Sequence, residues 1–196
     1  LIRKIKDKRK IRIVGDYDVD GVISTYILKR ALDRCNANAD YEIPDRIKDG
    51  YGINISIIEE AHRDHVDTII TCDNGIAAIE QIAYAKSLGI TVIITDHHDI
   101  PFSMEEGEKI YHVPKADAVI NPKQINCDYP FKGICGATVA YKLIEVLYHK
   151  MNIPSGEAAD LLEFVAVATV CDVMDLIDEN RIIVKIGLEK IKSTNN

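Results

Sequence analysis

Four short clusters of acidic and histidine side chains, spread over most of the chain, are the residues best suited to chemistry. They lie at residues 16–21, 73–75, 96–98 and 171–173. The first three each follow a short run rich in β-branched residues, which predicts that they stand at the ends of buried strands. Carboxylates in such places are costly unless a cation neutralises them. The pattern therefore predicts two divalent metal ions, and two-metal sites cleave phosphoesters.

The first cluster contains three aspartates at alternate positions, Asp16, Asp18 and Asp20. In an extended segment this spacing puts all three side chains on one side, where their like charges crowd together without a cation. The alternative interpretation is that an aspartate caps the helix predicted from Val22, but one aspartate is enough for a cap. Three carboxylates favour metal ligation, and Gly21 would let the backbone approach the site closely.

The other clusters complete a set of oxygen and imidazole ligands. Asp73 alone would be read as part of a turn, but beside the first cluster it is a candidate to bridge two metals through its two oxygens. One of His97 and His98 can bind a metal while the other faces a phosphate. Asp172 follows an apolar stretch where a lone charge needs a partner, so we expect it to close the site. This carboxylate-rich set favours Mn²⁺ or Mg²⁺ over zinc or copper.

The elements that must position these clusters alternate between strands and helices. Strands are predicted at residues 11–14, 39–43, 66–71, 91–95 and 118–120. Helices are predicted between them at residues 22–32, 55–61 and 77–88. This alternation indicates an α/β fold, a parallel, Rossmann-like sheet with helices on both faces. Because ligands bind at the carboxyl ends of the strands in such sheets, the first three clusters are expected to meet at one edge.

The pattern changes along the chain. After about residue 134 it is helical only, with helices predicted at residues 136–149, 155–168 and 180–191. We therefore expect one domain over residues 11–192, with its sheet core at about 11–122 and its helical part at about 134–192. The basic residues 1–10 are interpreted as a solvated helix end or linker rather than a nucleic-acid patch.

Composition argues against several classes of protein. The chain of 196 residues is 47% hydrophobic, and its net charge of −7 argues against a long nucleic-acid groove, although bound metals would cancel part of that charge. Five scattered cysteines without a close pair argue against zinc fingers and disulfide frameworks and favour a reducing cytoplasm. No apolar run approaches the roughly 18 residues of a membrane span, and no signal peptide is evident.

Taken in order, the motifs resemble those of the DHH phosphoesterase superfamily, named for the triplet that is residues 96–98 here. Within it the chain is most similar to the RecJ-like single-strand-specific 5′→3′ DNA exonucleases. The similarity runs nearly end to end, through residues 15–21, 43–46, 50–52, 73–75, 94–98, 120–123, 129–130, 135–136 and the segment around residue 172. Each motif is weak alone, but their order and spacing are specific.

The resemblance implies a role for each site residue. The metal ligands would be Asp16, Asp18, Asp20, Asp73, His97 and Asp172, with Asp16 either a direct ligand or a supporting acid. Asp73 would bridge the metals, His98 would contact the scissile phosphate, and these two residues would be the catalytic pair.

Two more residues are candidates for binding substrate. Arg46 could clamp a phosphate through two parallel hydrogen bonds, and an ion pair with Asp45 or Asp49 is an equally good interpretation. Gly136 opens a predicted helix whose free N–H groups could receive a phosphate, and simple tight packing is the alternative.

The function implied is a two-metal phosphodiesterase domain that removes nucleotides from the 5′ end of single-stranded DNA in repair and recombination, acting as a cytoplasmic monomer. Protein partners cannot be inferred. The second, DHH-associated domain and the OB-type domain of such enzymes are expected to be absent from this chain. One alternative is a relative that acts on short oligonucleotides, cyclic dinucleotides or pyrophosphate, but those begin the first motif with histidine where Val14 stands. The other is an inactive replication scaffold, which a complete ligand set disfavours.

Overall fold

In the computed structural model, which describes residues 1–48 and 50–194, five strands form one parallel sheet. The strands are β1 (Lys10–Val14), β2 (Asn38–Glu42), β3 (Thr68–Cys72), β4 (Thr91–Thr95), β5 (Phe102–Glu105), β6 (Glu108–Tyr111) and β7 (Ala118–Ile120). The helices are α1 (Ile2–Lys6), α2 (Val19–Arg34), α3 (Ile55–Arg63), α4 (Ile79–Ser87), α5 (Gly136–Lys150), α6 (Ser155–Ala159), α7 (Leu162–Cys171) and α8 (Asp178–Ile191). The sheet order is β2-β1-β3-β4-β7, with every neighbouring pair parallel.

Helices cover both faces of this sheet, as the sequence predicts. On one face, Ile13, Ile70 and Ile93 stand side by side in register and pack against α2, α5 and α7. On the other, Val14 and Ile94 pack in a second cluster with α3 and α4. The three central strands are apolar and almost wholly buried because both faces are covered.

The strand order brings the first three clusters together. β1, β3 and β4 are neighbours at the centre of the sheet, and their last residues are in register, Val14 with Thr71 and Cys72 with Thr95. The residues that follow these strands therefore leave the sheet at the same edge. That edge is where parallel sheets bind ligands.

The last two helices place the fourth cluster. α7 and α8 pack closely because Gly187 has no side chain, and a Cβ there would lie 2.3 Å from the Cβ of Ala166. α7 also packs against α2 and α5, and Asp172 is its C-terminal cap. The chain then turns at Val173, whose φ of 55° is costly for a β-branched residue. The end of α7 is thereby held beside the start of α2.

Three local details differ from the sequence predictions or add to them. The lead-in is a helix end with most of its basic residues exposed, as one of its two interpretations had it, but α1 also buries Ile5, and its Lys4 lies 2.5 Å from Asp67. The helix predicted over 155–168 is two helices, α6 and α7, separated at residues 160–161. The hairpin of β5 and β6 was not predicted; its strands are short and largely exposed.

No helix in the described part of the chain is both long enough and apolar enough to cross a membrane.

Candidate metal centre

Asp16 is buried directly behind the end of β1. One of its oxygens accepts a hydrogen bond from the N–H of Gly52 at 3.2 Å, while Oδ2 is buried without a hydrogen-bond partner among the described residues. Gly21 makes this position possible, because a Cβ there would lie 2.6 Å from the carbonyl oxygen of Asp16. The expected close backbone approach at Gly21 is therefore present.

Asp18 and Asp20 lie at the start of α2 and have different surroundings. Asp18 is exposed and caps the helix, accepting a hydrogen bond from the N–H of Gly21 at 2.9 Å. Asp20 is buried and accepts hydrogen bonds from the N–H groups of Gly136 at 2.6 Å and Ala137 at 2.8 Å. Both carboxylates thus organise a helix start, but among the described residues only Asp20 also belongs to a group of converging ligand atoms.

Gly136 is a packing position in this structure. Its N–H donates to Asp20, and a Cβ there would lie 2.7 Å from Oδ1 of Asp73. These contacts favour the tight-packing interpretation over phosphate binding, because the first N–H groups of α5 already bind a carboxylate.

Asp73 occupies the middle of the cluster. It follows β3 in the left-handed region, with a φ of 60° that aspartate tolerates better than most residues. Its Oδ1 is buried, accepts no hydrogen bond from a described residue, and lies 3.1 Å from Nε2 of His97. The same Nε2 is 3.7 Å from Oδ2 of Asp20 and 3.7 Å from Oδ2 of Asp172.

The ligand atoms converge in two overlapping groups. One contains Asp73, His97 and His98, and the other contains Asp20, His97 and Asp172, with all ligand atoms of a group within 4.8 Å of one another. Oxygen and imidazole donors that converge in this way, with buried oxygens left unsatisfied, fit hard divalent cations. The structure thus brings together the four clusters predicted from the sequence.

The electrostatics of the cluster are unfavourable without a cation. Burial, and then the charges of Asp20 and Asp18, raise the pKa of Asp73 far above its ordinary value. The same causes raise the pKa of Asp172 to about 6, and burial raises the pKa of Asp16. Burial also lowers the pKa of His97, which favours the neutral imidazole that binds metals. Bound cations would relieve the repulsion among the carboxylates.

His98 is held in place by Asp96, a role that the sequence did not assign to that aspartate. Nδ1 of His98 lies 2.7 Å from Oδ1 of Asp96, which also accepts hydrogen bonds from the N–H groups of His97 and His98. The other oxygen of Asp96 accepts from the N–H of Ile76 at 2.9 Å. This carboxylate therefore fixes the loop and the orientation of the His98 ring, whose side chain is 46% exposed.

Replacing Asp96 with asparagine is expected to lower the pKa of His98, because the hydrogen bond from His98 to Asp96 is the largest contribution raising it. His98 would then be protonated only at lower pH than in the wild type. NMR titration of the histidine rings of the metal-free protein measures this shift, and His149, which is exposed, provides an internal control. An unchanged His98 titration would contradict the assignment.

Tyr51, Asn74 and Asn121 also build the site, and sequence reasoning did not single them out. The hydroxyl of Tyr51 donates to the carbonyl oxygen of Asp73 at 2.8 Å and lies 3.2 Å from Nε2 of His98. The amide of Asn121 donates to the carbonyl oxygen of His98 at 2.9 Å. Their motifs were visible in the sequence, but only the fold shows what they contact.

Asn74 ties the sheet edge together. Its amide donates to the carbonyl oxygens of Val14 and Cys72, and its oxygen accepts from the N–H of Ile53. One side chain thus joins the ends of β1 and β3 to the segment that carries Tyr51.

Arg46 lies beside the centre on an exposed segment. Its Cζ is 5.3 Å from the ring centroid of Tyr17, and that ring meets Tyr51 edge-on at 6.3 Å. Of its two suggested ion-pair partners, Asp45 instead accepts hydrogen bonds from the N–H groups of Ile47 and Lys48 through Oδ1. The other, Asp49, lies outside the described residues.

Comparison with known proteins gives a consistent result. Residues 10–169 match the family model described as the DHH family, N-terminal domain. The single-stranded-DNA-specific exonuclease RecJ of Bacillus subtilis (strain 168) is 42% identical over 192 residues, which are 97% of this chain and 22% of that protein.

Two solved structures are similar over nearly the whole chain. The crystal structure of exonuclease RecJ bound to manganese has a TM-score of 0.83 at 31% identity, covering 97% of this chain and 46% of that one. RecJ from Thermus thermophilus in complex with Mn²⁺ has a TM-score of 0.79 at 28% identity, covering 98% of this chain and 26% of that one. The chain thus spans less than half the length of each of these relatives. Since the family model matches most of its residues, the protein belongs to the DHH family.

Proposed function

We propose that this chain is the metal-dependent phosphodiesterase domain of an enzyme that removes nucleotides from the 5′ end of single-stranded DNA. The observation that carries the proposal is the convergence of Asp20, Asp73, His97 and Asp172 on one partly buried point at the carboxyl edge of the sheet. The extent of the domain is proposed to be residues 11–192.

The donor set fits two divalent cations, Mn²⁺ or Mg²⁺. Asp73 lies against His97, the residue that the two groups of ligands share, and is suited to bridge, while Asp20, His97 and Asp172 surround one position. Asp16 and the exposed Asp18 supply further oxygens at the start of α2. When bound, such ions would supply an activated water and stabilise the charge of an in-line displacement at phosphorus. The similar RecJ structures with Mn²⁺ support this choice of metal.

The surrounding residues of the chain bind and orient the substrate. The side chain of His98 is 46% exposed and Asp96 holds its Nδ1, so Nε2, which lies 3.2 Å from the hydroxyl of Tyr51, can donate a hydrogen bond to the scissile phosphate in place of that contact. Arg46 is proposed to bind a neighbouring phosphate of the strand, with its position supported by the contact to Tyr17. Single-stranded DNA is the proposed substrate because the similar B. subtilis protein is named as specific for it.

We also propose that the domain works as a monomer in a reducing cytoplasm. All five cysteines are free in the structure, and three of them are buried, which supports a protein that does not rely on disulfides.

The direct test is Mn²⁺-dependent release of mononucleotides from 5′-phosphorylated single strands by the purified chain. Blunt duplex, a cyclic dinucleotide, a linear dinucleotide and pyrophosphate are the comparison substrates. We expect the single strand to be cut fastest and chelation to stop the reaction. Faster turnover of a dinucleotide or of pyrophosphate would contradict the proposal and favour a small-substrate enzyme.

Replacing His98 with glutamine is expected to lower kcat by about a hundredfold, because the variant loses a charged donor to the phosphate. Metal affinity should change much less if His98 serves the substrate, so calorimetric titration with Mn²⁺ separates the two roles. The matched control is His112→Gln, a half-buried histidine that contacts Ser103 in the hairpin. Equal activities of the two variants would remove His98 from the reaction.

A further inference from the structure

We propose that a small uncharged pocket beside the metal centre receives one nucleobase of the substrate strand, an inference that rests on the proposed function. The pocket has a volume of about 190 Å³ and lies between the segment at residues 51–53 and the start of α4. Its lining includes Tyr51, Gly52, Gly75, Ala77, Ala78 and Gln81.

One side chain, Tyr51, contacts both the pocket and the metal centre. Tyr51 lines the pocket, and its hydroxyl donates to the carbonyl oxygen of Asp73 and lies 3.2 Å from Nε2 of His98. The residue is 52% exposed, so its ring is available to a ligand. A phosphate next to His98 and a ring in the pocket would therefore both lie against Tyr51. A phosphate and the base of an adjoining nucleotide can be placed in this way.

The lining selects a neutral planar group. All of its residues are uncharged, so nothing in it would compensate the charge of a phosphate. Its volume is below the roughly 300 Å³ at which pockets for drug-sized ligands begin, which leaves room for one ring system. A partly exposed aromatic wall favours a base, because bases stack on aromatic side chains whatever their sequence.

Two glycines keep one side of the pocket flat. Gly75 has a φ of +109°, and a Cβ there would lie 2.6 Å from Oγ1 of Thr71. Gly52 has a φ of +65°, and a Cβ there would lie 3.0 Å from that of Asn74. Both glycines line the pocket, so backbone rather than a side chain faces it at these two positions, and a flat ring can approach closely.

Gln81 supplies the polar group of the pocket. Its side chain is half-buried and makes no hydrogen bond to any residue that the structure describes. An amide both donates and accepts, so it can pair with the edge of any of the four bases. This suits an enzyme that must accept every base in turn.

The test combines variants of the pocket with substrate strands that lack one base. Ala77, exposed at the pocket, is replaced with leucine to fill it, and Gln81 is replaced with methionine to remove its hydrogen bonds. Ala83→Leu, at an exposed position of α4 outside the pocket lining, is the matched control. The substrates are 5′-phosphorylated oligothymidylates with an abasic residue at the first, second or sixth position, and kcat/KM is measured with Mn²⁺.

We expect an abasic residue at one of the first two positions to lower the wild-type kcat/KM about tenfold, and one at the sixth position to leave it unchanged. On the intact strand, Ala77→Leu should have the reduced kcat/KM that the wild type shows on the abasic strand. An abasic residue should then lower the kcat/KM of Ala77→Leu no further, while Ala83→Leu should behave as the wild type. In Gln81→Met the difference in kcat/KM between the intact and the abasic strand should be smaller than in the wild type. An undiminished abasic effect in both pocket variants would overturn the inference.

A second measurement separates this inference from the proposed function. If the wild type cuts no strand, the proposed function fails, and calorimetry with Mn²⁺ then compares thymidine 5′-monophosphate, thymidine 3′-monophosphate and deoxyribose 5-phosphate. Tighter binding of a nucleotide than of the sugar phosphate, lost in Ala77→Leu, would support the pocket on its own. Equal binding of all three would overturn it.

Discussion

Replacing Asp73 with asparagine is expected to stabilise the metal-free protein while lowering its Mn²⁺-dependent activity about a thousandfold or more. Asp73 is 1% exposed and faces Asp20, and its Oδ1 accepts no hydrogen bond from a described residue. Without metal this carboxyl group must either stay charged among like charges or take up a proton on folding, and at pH 7 both cost stability. Asparagine has the same shape without the charge, so the free energy of unfolding at pH 7 should rise by about 1–4 kcal/mol.

The pH dependence of this gain has a definite sign. The pKa of Asp73 in the folded protein is raised by burial and by Asp20, whereas in the unfolded chain the group ionises near pH 4. Its contribution to stability is therefore present below about pH 4 and is lost progressively as the pH rises toward the folded pKa. The advantage of Asp73→Asn should be small at pH 4 and grow toward pH 7.

Saturating Mn²⁺ should reverse the order of stability. A metal held at a hundred times its Kd stabilises the wild type by about 2.7 kcal/mol, and the variant should gain less because it lacks the carboxylate that we propose as a metal ligand. Thermal and urea unfolding with and without Mn²⁺ measure both effects, with the exposed Asp128→Asn as the control for charge removal. A metal-free variant that is less stable than the wild type would show that Asp73 holds the fold together.

The strands and the site were predictable for the same reason. Few folds other than a buried parallel sheet, with its ligands at one edge, accommodate short β-branched runs that end in charged residues. Ile13 and Ile70 could be assigned to the core from this pattern, and Asp73 and His97 to the edge. For Asp172 the sequence indicated only that a charged residue needed a partner. Its position could not be predicted, because it follows no predicted strand whose register would place it at the edge of the sheet.

The remaining features depend on contacts between distant residues, which periodicity does not encode. The sequence at Gly136 fits a phosphate-binding helix start and tight packing equally well, and only the fold shows that Asp20, 116 residues earlier in the chain, supplies the carboxylate that occupies it. Tyr51 reaches the centre only because Asn74 fixes its segment to the sheet. The strands β5 and β6 are exposed and short, so the sequence indicated this hairpin mainly through its turn at residues 106–107. Both φ angles are positive there in the structure.

Replacing Asp20 with alanine is expected to have the opposite effect on the metal-free protein from replacing Asp73. Asp20 accepts two hydrogen bonds from the first N–H groups of α5, at 2.6 and 2.8 Å, and is 2% exposed. Removing it leaves two buried donors unsatisfied and takes a negative charge from a helix N-terminus. These losses should exceed the relief of repulsion with Asp73, so we expect a loss of about 2–4 kcal/mol.

The matched control is Asp18→Ala, two residues earlier in the same motif. Asp18 is exposed and accepts one capping hydrogen bond at 2.9 Å, so its removal should cost only about 1 kcal/mol. Urea unfolding without metal measures both variants, and Mn²⁺ titration should show weakened binding in both. If Asp20→Ala proved as stable as the wild type, its bonds to α5 would do no more than offset its repulsion with Asp73. The two neighbouring carboxylates therefore test separately whether this cluster is stabilised by its hydrogen bonds or only by the metals that its charges attract.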